Sequence, residues 1–211
     1  ELTRSRNQSS DVLHTLYVQR FDAAGNAVGS PVQAGNAASP TFTGFYGLTG
    51  VAFEDGSFAF QTSQLAGYPR YIFDFAPDGT FLNQYPWPEF ASDITDMIRL
   101  PDGSLQVYYD YLQRTEQGVE TRDVRVAILD DGTTTTLNLV ADPAGDQRSV
   151  RAAELGSGTL VIWQDAGPEG GNGTFNLVGE RVDASGQRIG TSFTIATSTS
   201  GFQSDVFALA D

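Results

Sequence analysis

The sequence lacks cysteine altogether and contains a single histidine, His14. Without cysteine the chain forms no disulfide, offers no thiolate nucleophile and cannot hold zinc through sulfur. One histidine also excludes sites that need two imidazole groups, and a Ser-His-Asp triad would have to include His14. Because no recognisable Ser or Asp motif surrounds His14, we interpret it as a structural or surface residue.

Positive charge is scarce as well, with 12 Lys plus Arg against 26 Asp plus Glu and a formal net charge of −14. A surface of mainly negative potential repels phosphate groups, which argues against nucleic acid and anionic lipid as partners. No apolar run reaches the roughly 18 residues of a membrane-spanning helix. The composition is typical of exported bacterial surface proteins, so we expect a secreted or cell-surface protein and a segment of a larger chain.

What the sequence does contain is a repeat of about 54 residues, marked by two families of glycine turns. The first family ends apolar runs at Gly25, Gly79, Gly132 and Gly186. The second family lies between these glycines, at 53–58, 100–105 and 155–160, with the start of a fourth copy at Phe207. Asp-Gly between apolar runs is a strong hairpin signal, because glycine tolerates the positive φ that such turns require.

Each period therefore holds four strands, and alternation of apolar and polar residues predicts a buried face on them. No segment shows helical periodicity. We predict an all-β fold of four four-stranded antiparallel units, closed into a small four-bladed β-propeller. The predicted blades are residues 1–33 with 203–211, 46–86, 95–140 and 150–197. The alternatives are an open stack of sheets, a two-sheet sandwich and a part of a larger ring.

Closure of the ring follows from the phase of the repeat. The chain begins with what reads as a second strand, in residues 1–8, and ends with a first strand, in residues 203–210. If these two segments pair, both termini complete the first blade, and two exposed sheet edges disappear. Phe207 and Leu209 would then be buried in the ring.

Two segments of the chain resemble a known repeat. Residues 17–29 read YVQRFDAAGNAVG, and residues 159–165 read TLVIWQD. They resemble the repeat of about 50 residues in large exported bacterial proteins, in which a VVWQ strand and a QRFD strand recur, often beside haemolysin-type calcium-binding segments. The resemblance is strongest in the first and last units and implies export and surface association, but no reaction. The Gly-Gly-x-Gly-x-Asp nonapeptide of those calcium-binding segments does not occur here.

The first strands of a propeller line its central channel, which suggests a ligand site there. Thr49, Asp96, Arg151 and Asp205 occupy the same place in the four repeats. Together they could ring one mouth of the channel and hold a cation or a polar ligand. Alternatively, they cap the entry of each strand and bind only water.

The loop at 165–173 suggests a second kind of site. Asp165, Glu169 and Asn172 supply carboxylate and amide oxygens among several glycines. Such oxygens suit a hard cation, so calcium is the one cofactor that the sequence suggests. The spacing matches no EF-hand, and a flexible acidic hairpin loop is the simpler alternative.

Tyr109 and Tyr111 lie in an aromatic stretch where a strand meets a long loop. Exposed aromatic rings could stack on a sugar or anchor a protein partner, although alternation places half of them in the core. With 26 acidic residues, no catalytic carboxylate pair can be singled out. We therefore predict a non-catalytic binding or adhesion module for a protein or carbohydrate ligand. The alternative is a carbohydrate hydrolase that uses paired carboxylates at the channel mouth.

Overall fold

The computed structural model describes residues 13–14, 17–22, 24–33, 42–43, 45–64, 70–88, 91–114, 120–139, 146–156, 158–166 and 175–198. These residues form sixteen strands and no helix, and so contain no helix that could cross a membrane. The strands are β1 (Leu13–His14), β2 (Tyr17–Phe21), β3 (Ala27–Gln33), β4 (Phe42–Thr43), β5 (Phe45–Ala52), β6 (Phe58–Gln64), β7 (Tyr71–Phe75), β8 (Phe81–Pro86), β9 (Ala91–Arg99), β10 (Leu105–Arg114), β11 (Glu120–Asp130), β12 (Thr133–Asn138), β13 (Gln147–Leu155), β14 (Gly158–Asp165), β15 (Phe175–Val182) and β16 (Arg188–Ser198).

Apart from the short pair β1–β4, the strands form four antiparallel sheets. Sheet 1 contains β2 and β3, sheet 2 contains β5 to β8, sheet 3 contains β9 to β12, and sheet 4 contains β13 to β16. Within each sheet the strands are neighbours in chain order. The all-β prediction is therefore confirmed. The predicted closing segments, 1–8 and 203–210, lie outside the described residues.

Five hairpin turns share one backbone pattern. In sheet 1, the N–H of Asp22 donates to the carbonyl of Asn26 at 2.9 Å, and the N–H of Gly25 donates to the carbonyl of Asp22 at 3.0 Å. The same pair of bonds recurs in the turns that contain Gly56, Gly79, Gly103 and Gly186. All five glycines have φ between 77° and 93°, a region that other residues rarely adopt.

An aspartate completes each of these five turns. Asp102 Oδ1, for example, accepts the backbone N–H of Ser104 at 2.9 Å and its hydroxyl at 2.7 Å. Asp55 and Asp78 hold the same third position in their turns, whereas Asp22 and Asp183 accept turn N–H groups from the first position. The aspartate thus satisfies turn N–H groups that no strand partner can reach, which is why Asp favours such positions.

The first-family turn of sheet 3 differs from its counterparts. Asp130 pairs directly with Thr133, so this turn contains only Asp131 and Gly132. Both have positive φ, 40° and 77°, as a two-residue turn with right-handed strand twist requires. The glycine expected at this place is present, but the turn is shorter than those of sheets 1, 2 and 4.

The chain divides into two compact units at the Pro86–Trp87 bond. In the N-terminal unit, the core centres on the rings of Phe60, Phe73 and Phe75 in sheet 2. Val18 and Val32, which face each other across sheet 1, pack against these rings. Sheet 1 therefore covers one face of sheet 2.

In the C-terminal unit, sheets 3 and 4 enclose a second core. Its members from sheet 3 and the residues after it are Ile98, Tyr108, Val124, Val126 and Leu139, and those from sheet 4 are Val150, Ala152, Val161, Trp163, Val178 and Val182. Val124 and Val126 alternate along β11 as predicted, whereas in β10 consecutive residues from Leu105 to Tyr109 are all buried. Face-to-face packing of this kind is how sheets bury an apolar surface.

A turn glycine makes the same kind of sheet-to-sheet contact in each unit. Gly79 lies over sheet 1, where an added Cβ would be 3.3 Å from Arg20 Cδ and 4.0 Å from Val32. Gly186 lies over sheet 3, where an added Cβ would be 2.8 Å from Leu137 Cδ1. In both units, therefore, the turn of one sheet rests on the sheet that precedes it in the chain.

Candidate functional site

Asp96 joins the first strands of sheets 3 and 4, β9 and β13, which lie in contact. Its Oδ2 accepts the backbone N–H of Ala152 at 3.0 Å, and its Oδ1 accepts the N–H of Met97 at 3.0 Å. Asp110 makes a second bond of this type, because its Oδ2 accepts the N–H of Ser149 at 3.3 Å. Two carboxylates of sheet 3 are thus directed at the edge strand of sheet 4.

Two of the four residues of the predicted channel ring, Asp96 and Arg151, lie on β9 and β13. Arg151 precedes Ala152 on β13, and its Nη1 donates to the carbonyl of Val150 at 2.9 Å. The structure therefore brings Asp96 and Arg151 to neighbouring strands of one unit. Thr49 lies on β5 opposite Gln61 and is exposed. Asp205 lies outside the described residues.

The two candidate tyrosines have different surroundings. Tyr109 is 0 % exposed, and burial raises the pKa of its hydroxyl. Tyr111 is half-buried, and the guanidinium carbon of Arg125 lies 3.2 Å from its ring centroid. Burial also raises the pKa of the nearby Asp123 carboxyl, an effect that Arg125 opposes. Of the two rings, only that of Tyr111 has surface open to solvent.

The predicted calcium loop is only partly described. Asp165 ends β14, and its Oδ1 accepts a hydrogen bond from Gln147 Nε2 at 3.4 Å. Glu169 and Asn172 lie outside the described residues. Within the described part of the chain, no three acidic or histidine side chains are grouped as a metal site would need.

Gln106 is the polar residue that sequence reasoning missed. It is 0 % exposed, and its Oε1 accepts the hydroxyls of Tyr108 at 2.6 Å and Thr159 at 2.9 Å. Its Nε2 donates to the carbonyl of Asp183 at 2.8 Å. Gln106 therefore connects sheet 3 to two hairpins of sheet 4. In the sequence, Gln106 is a polar residue between two apolar neighbours. This pattern ordinarily indicates an exposed position on a strand and so gives no sign of burial.

The N-terminal unit contains an open apolar groove of 390 Å³. Its lining comes from β2, β5 and β6 and includes Tyr17, Gly50, Phe58 and Phe60. Tyr17 is 58 % exposed at its rim. The groove thus lies between β2 of sheet 1 and strands β5 and β6 of sheet 2.

No protein-family model matches the chain, and the comparisons with curated proteins and with solved structures give no match. Evidence for the function comes instead from the sites described above. The resemblance of the repeat to exported bacterial proteins remains a prediction from the sequence.

Proposed function

We propose that this chain is a non-catalytic binding module of an exported bacterial protein, built as a four-bladed β-propeller. The observation that supports this most is the Asp96 bridge. It joins the first strands of successive sheets, with Asp96 on one strand and Arg151 next to the bridge on the other. First strands that meet in this way line the channel of a propeller.

In the proposed ring, the two termini complete sheet 1. Two strands of sheet 1 are described, whereas sheets 2, 3 and 4 have four strands each. The segments 1–8 and 203–210 supply the remaining strands, in the positions that the repeat assigns to them. The pairing would also cover the edge of β2 that faces away from β3.

The register of β5 and β13 supports this assignment. Gly50 pairs with Phe60 in sheet 2 as Ala152 pairs with Val161 in sheet 4, so Gly50 and Ala152 hold equivalent places. Asp96 caps the N–H of Ala152, and Asp205 holds the place of Asp96 in its own repeat.

The ligand site of the proposed module is the channel mouth, where Thr49, Asp96, Arg151 and Asp205 present carboxylate, guanidinium and hydroxyl groups. Such a mixture both donates and accepts hydrogen bonds, which suits sugar hydroxyls or a peptide backbone. Tyr111 offers an aromatic surface for a second contact on the loop side of sheet 3. The ligand class is accordingly a carbohydrate or a protein.

A glycan microarray, together with a panel of purified surface proteins, tests the proposal. We expect binding by the intact chain that Thr49→Ala and Arg151→Ala weaken at least tenfold without a change in Tm. The matched control is Arg122→Ala, because Arg122 is exposed on β11 and lies outside the ring positions. Equal loss in the control would show that general charge, and not the channel mouth, determines binding.

The hydrolase alternative requires one carboxyl group to donate a proton and a second to attack or activate water, about 5–10 Å apart. Asp96 and Asp110 instead accept backbone N–H groups of β13, which favours a role in joining sheets. Turnover of nitrophenyl glycosides that Asp96→Asn abolishes, with the fold retained, would replace the binding proposal.

A further inference from the structure

Two buried polar side chains lie close together on the face of sheet 4 that packs against sheet 3. Trp163 on β14 belongs to the core that these two sheets enclose and is 3 % exposed. Gln147 on β13 is 1 % exposed and pairs with Asp165, which lies two residues beyond Trp163 on β14. Because side chains alternate between the faces of a strand, Gln147, Asp165 and Trp163 share one face. Gln147 and Trp163 are therefore diagonal neighbours, within reach of each other's long side chains.

Each of these two side chains has one polar atom left without a hydrogen bond. Trp163 Nε1 is a donor and Gln147 Oε1 is an acceptor, and neither atom has a partner in the described part of the chain. The amide nitrogen of Gln147 does have a partner, since it donates to Asp165 Oδ1 at 3.4 Å. An ionised carboxylate only accepts, so the nitrogen must face Asp165 and the oxygen must face away from it. Unpaired buried groups of this kind commonly mark the place of a bound water or ion.

The backbone of β13 is distorted directly opposite Trp163. The register between β13 and β14 slips there, and the bulge includes Ser149. Ser149 has φ of 58°, which is uncommon for a residue other than glycine. Its N–H leaves the ladder and donates to Asp110 Oδ2 of sheet 3 at 3.3 Å. A bulge interrupts strand pairing and redirects the side chains beside it, so the two unpaired atoms lie where the ladder is open.

The chemistry of the two atoms selects the group that binds them. The hydrogen on Trp163 Nε1 needs an acceptor, whereas Gln147 Oε1 needs a donor. A metal cation would be repelled by the indole N–H, and an anion would be repelled by the amide oxygen and by the nearby Asp165. Both atoms are closed to solvent, which excludes a sugar or another large hydroxylated ligand. A water molecule both accepts and donates, and buried waters typically bind such otherwise unsatisfied groups.

We propose that an ordered water molecule is bound between sheets 3 and 4, where it accepts the N–H of Trp163 and donates to Gln147 Oε1. The bulge at Ser149 gives it space, and Asp165 holds the amide of Gln147 in the orientation that the water requires. The water joins β13 to β14 at the point where their ladder is interrupted. This site lies within one compact unit and does not depend on the proposed function.

NMR of the intact, nitrogen-15-labelled chain tests the site at the indole N–H. The chain has two tryptophans, and Trp163→Phe identifies the signal of Trp163 by removing it. We expect NOE and ROE peaks of opposite sign between Hε1 of Trp163 and water, which is the signature of a bound water. Gln147→Met, which keeps the size of the side chain but removes the acceptor, should abolish these peaks. Ser149→Gly tolerates the positive φ and should keep them, which excludes proton exchange relayed through the Ser149 hydroxyl.

A double-mutant cycle in urea tests the same link by stability. Gln147→Met and Trp163→Phe should each raise the unfolding constant at least about fivefold, because each leaves the water without a partner. The double variant should be about threefold or more stable than the product of the single effects predicts, because both changes remove the same bridge. Gln187 is exposed at a turn of sheet 4, and Gln187→Met paired with Trp163→Phe is the uncoupled control.

Three outcomes would overturn the site. The first is the absence of the water peaks in the wild-type chain, a measurement that does not depend on the folding of any variant. The second is a water peak that Gln147→Met preserves and Glu180→Gln abolishes, since Glu180 Oε2 on β15 is also a buried acceptor without a partner among the described residues. The third is independent single effects in the cycle, which would show that Trp163 and Gln147 share no water.

Discussion

Gln106 links sheets 3 and 4 through hydrogen bonds to Thr159 and to the carbonyl of Asp183. Gln106→Ala would leave the hydroxyls of Tyr108 and Thr159 without their shared acceptor and would open a cavity. A buried donor left unsatisfied costs about 1–3 kcal/mol, so we expect a loss of about 2–4 kcal/mol in the free energy of unfolding. Urea unfolding measures this loss, and Gln187→Ala, at an exposed turn position, should change it by less than about 0.5 kcal/mol.

A second outcome separates the network from simple loss of volume. Thr159→Val removes one of the hydroxyls that Gln106 accepts, so the double variant Gln106→Ala with Thr159→Val should lose less stability than the sum of the single variants. Additive losses would show that the hydrogen bonds contribute little and that packing alone accounts for the effect.

The turn aspartates give a prediction about pH. Hydrogen bonds from the Ser104 hydroxyl and N–H hold the pKa of Asp102 below its ordinary value. A lowered folded-state pKa adds stability above the unfolded pKa, near 4, and this stability is lost as the pH falls through the folded pKa. Asp102→Asn should therefore cost about 1 kcal/mol or less at pH 7 and progressively less below pH 4.

The measurement is urea unfolding of wild type and Asp102→Asn between pH 7 and pH 2.5. Asp130→Asn is the matched control, since Asp130 is exposed next to the two-residue turn of sheet 3. A difference between wild type and Asp102→Asn that stays constant down to the lowest pH would contradict a role for the ionised carboxylate.

These residues show which details the sequence could predict. The glycine turns were predictable because an Asp-Gly signal acts within a few residues and needs no knowledge of the rest of the fold. Gln106 was not predictable, because its partners Thr159 and Asp183 lie far along the chain. Its place between Leu105 and Val107 indicates the exposed face of a strand unless a second sheet covers that face.

At the scale of the elements, glycine is needed at position 186 for two reasons, its positive φ and its close contact with sheet 3, and mutations can separate them. Gly186 has φ of 77°, and an added Cβ would lie 2.8 Å from Leu137 Cδ1. Gly103 has the same turn pattern and φ of 93°, but an added Cβ would meet no atom within 4 Å. Gly103→Ala therefore measures backbone strain alone, at about 1 kcal/mol.

We expect Gly186→Ala to cost about 1–3 kcal/mol more than Gly103→Ala, because the methyl group overpacks the seam between sheets 3 and 4. Thermal or urea unfolding of the two variants checks the difference. Leu137→Ala should relieve the overpacking and reduce the cost of Gly186→Ala. Equal losses of stability in Gly186→Ala and Gly103→Ala would show that the turn of Gly186 does not pack tightly against sheet 3.

Strand positions and the antiparallel order were also accessible from the sequence, since alternation and short turns are local properties. The turn of sheet 3 shows the limit of this approach. Gly132 fits the spacing of the repeat, yet Asp130 pairs with Thr133 and leaves a two-residue turn. Turn length depends on the register of the two strands, which a glycine at the expected place does not determine.

For the whole molecule, calcium provides a test of the cation sites predicted from the sequence. If Asp165, Glu169 and Asn172 or the channel ring bind calcium in the folded state, Tm rises with calcium concentration. A free calcium concentration of about 100 times Kd would add about 2.7 kcal/mol to the free energy of unfolding. Tm is measured in chelator and in millimolar calcium, with Asp165→Asn expected to abolish the loop's contribution and Asp130→Asn to preserve it. An unchanged Tm in calcium would contradict the predicted calcium sites.

Removing the strand that closes the proposed ring should reduce the stability of the protein strongly. A chain that ends at Phe202 lacks the strand that we assign to residues 203–210 and would expose the sheet edge that this strand covers. The free energy of unfolding of a whole domain is only about 5–15 kcal/mol. Removing one strand and exposing the sheet edge that it covers should therefore take away a large share of this free energy and lower Tm strongly. A synthetic peptide of residues 203–211 should restore Tm in proportion to its concentration, because it binds only the folded chain. A scrambled peptide of the same composition should not. If the truncated chain melts like the full chain, or if both peptides act alike, the termini do not close the fold.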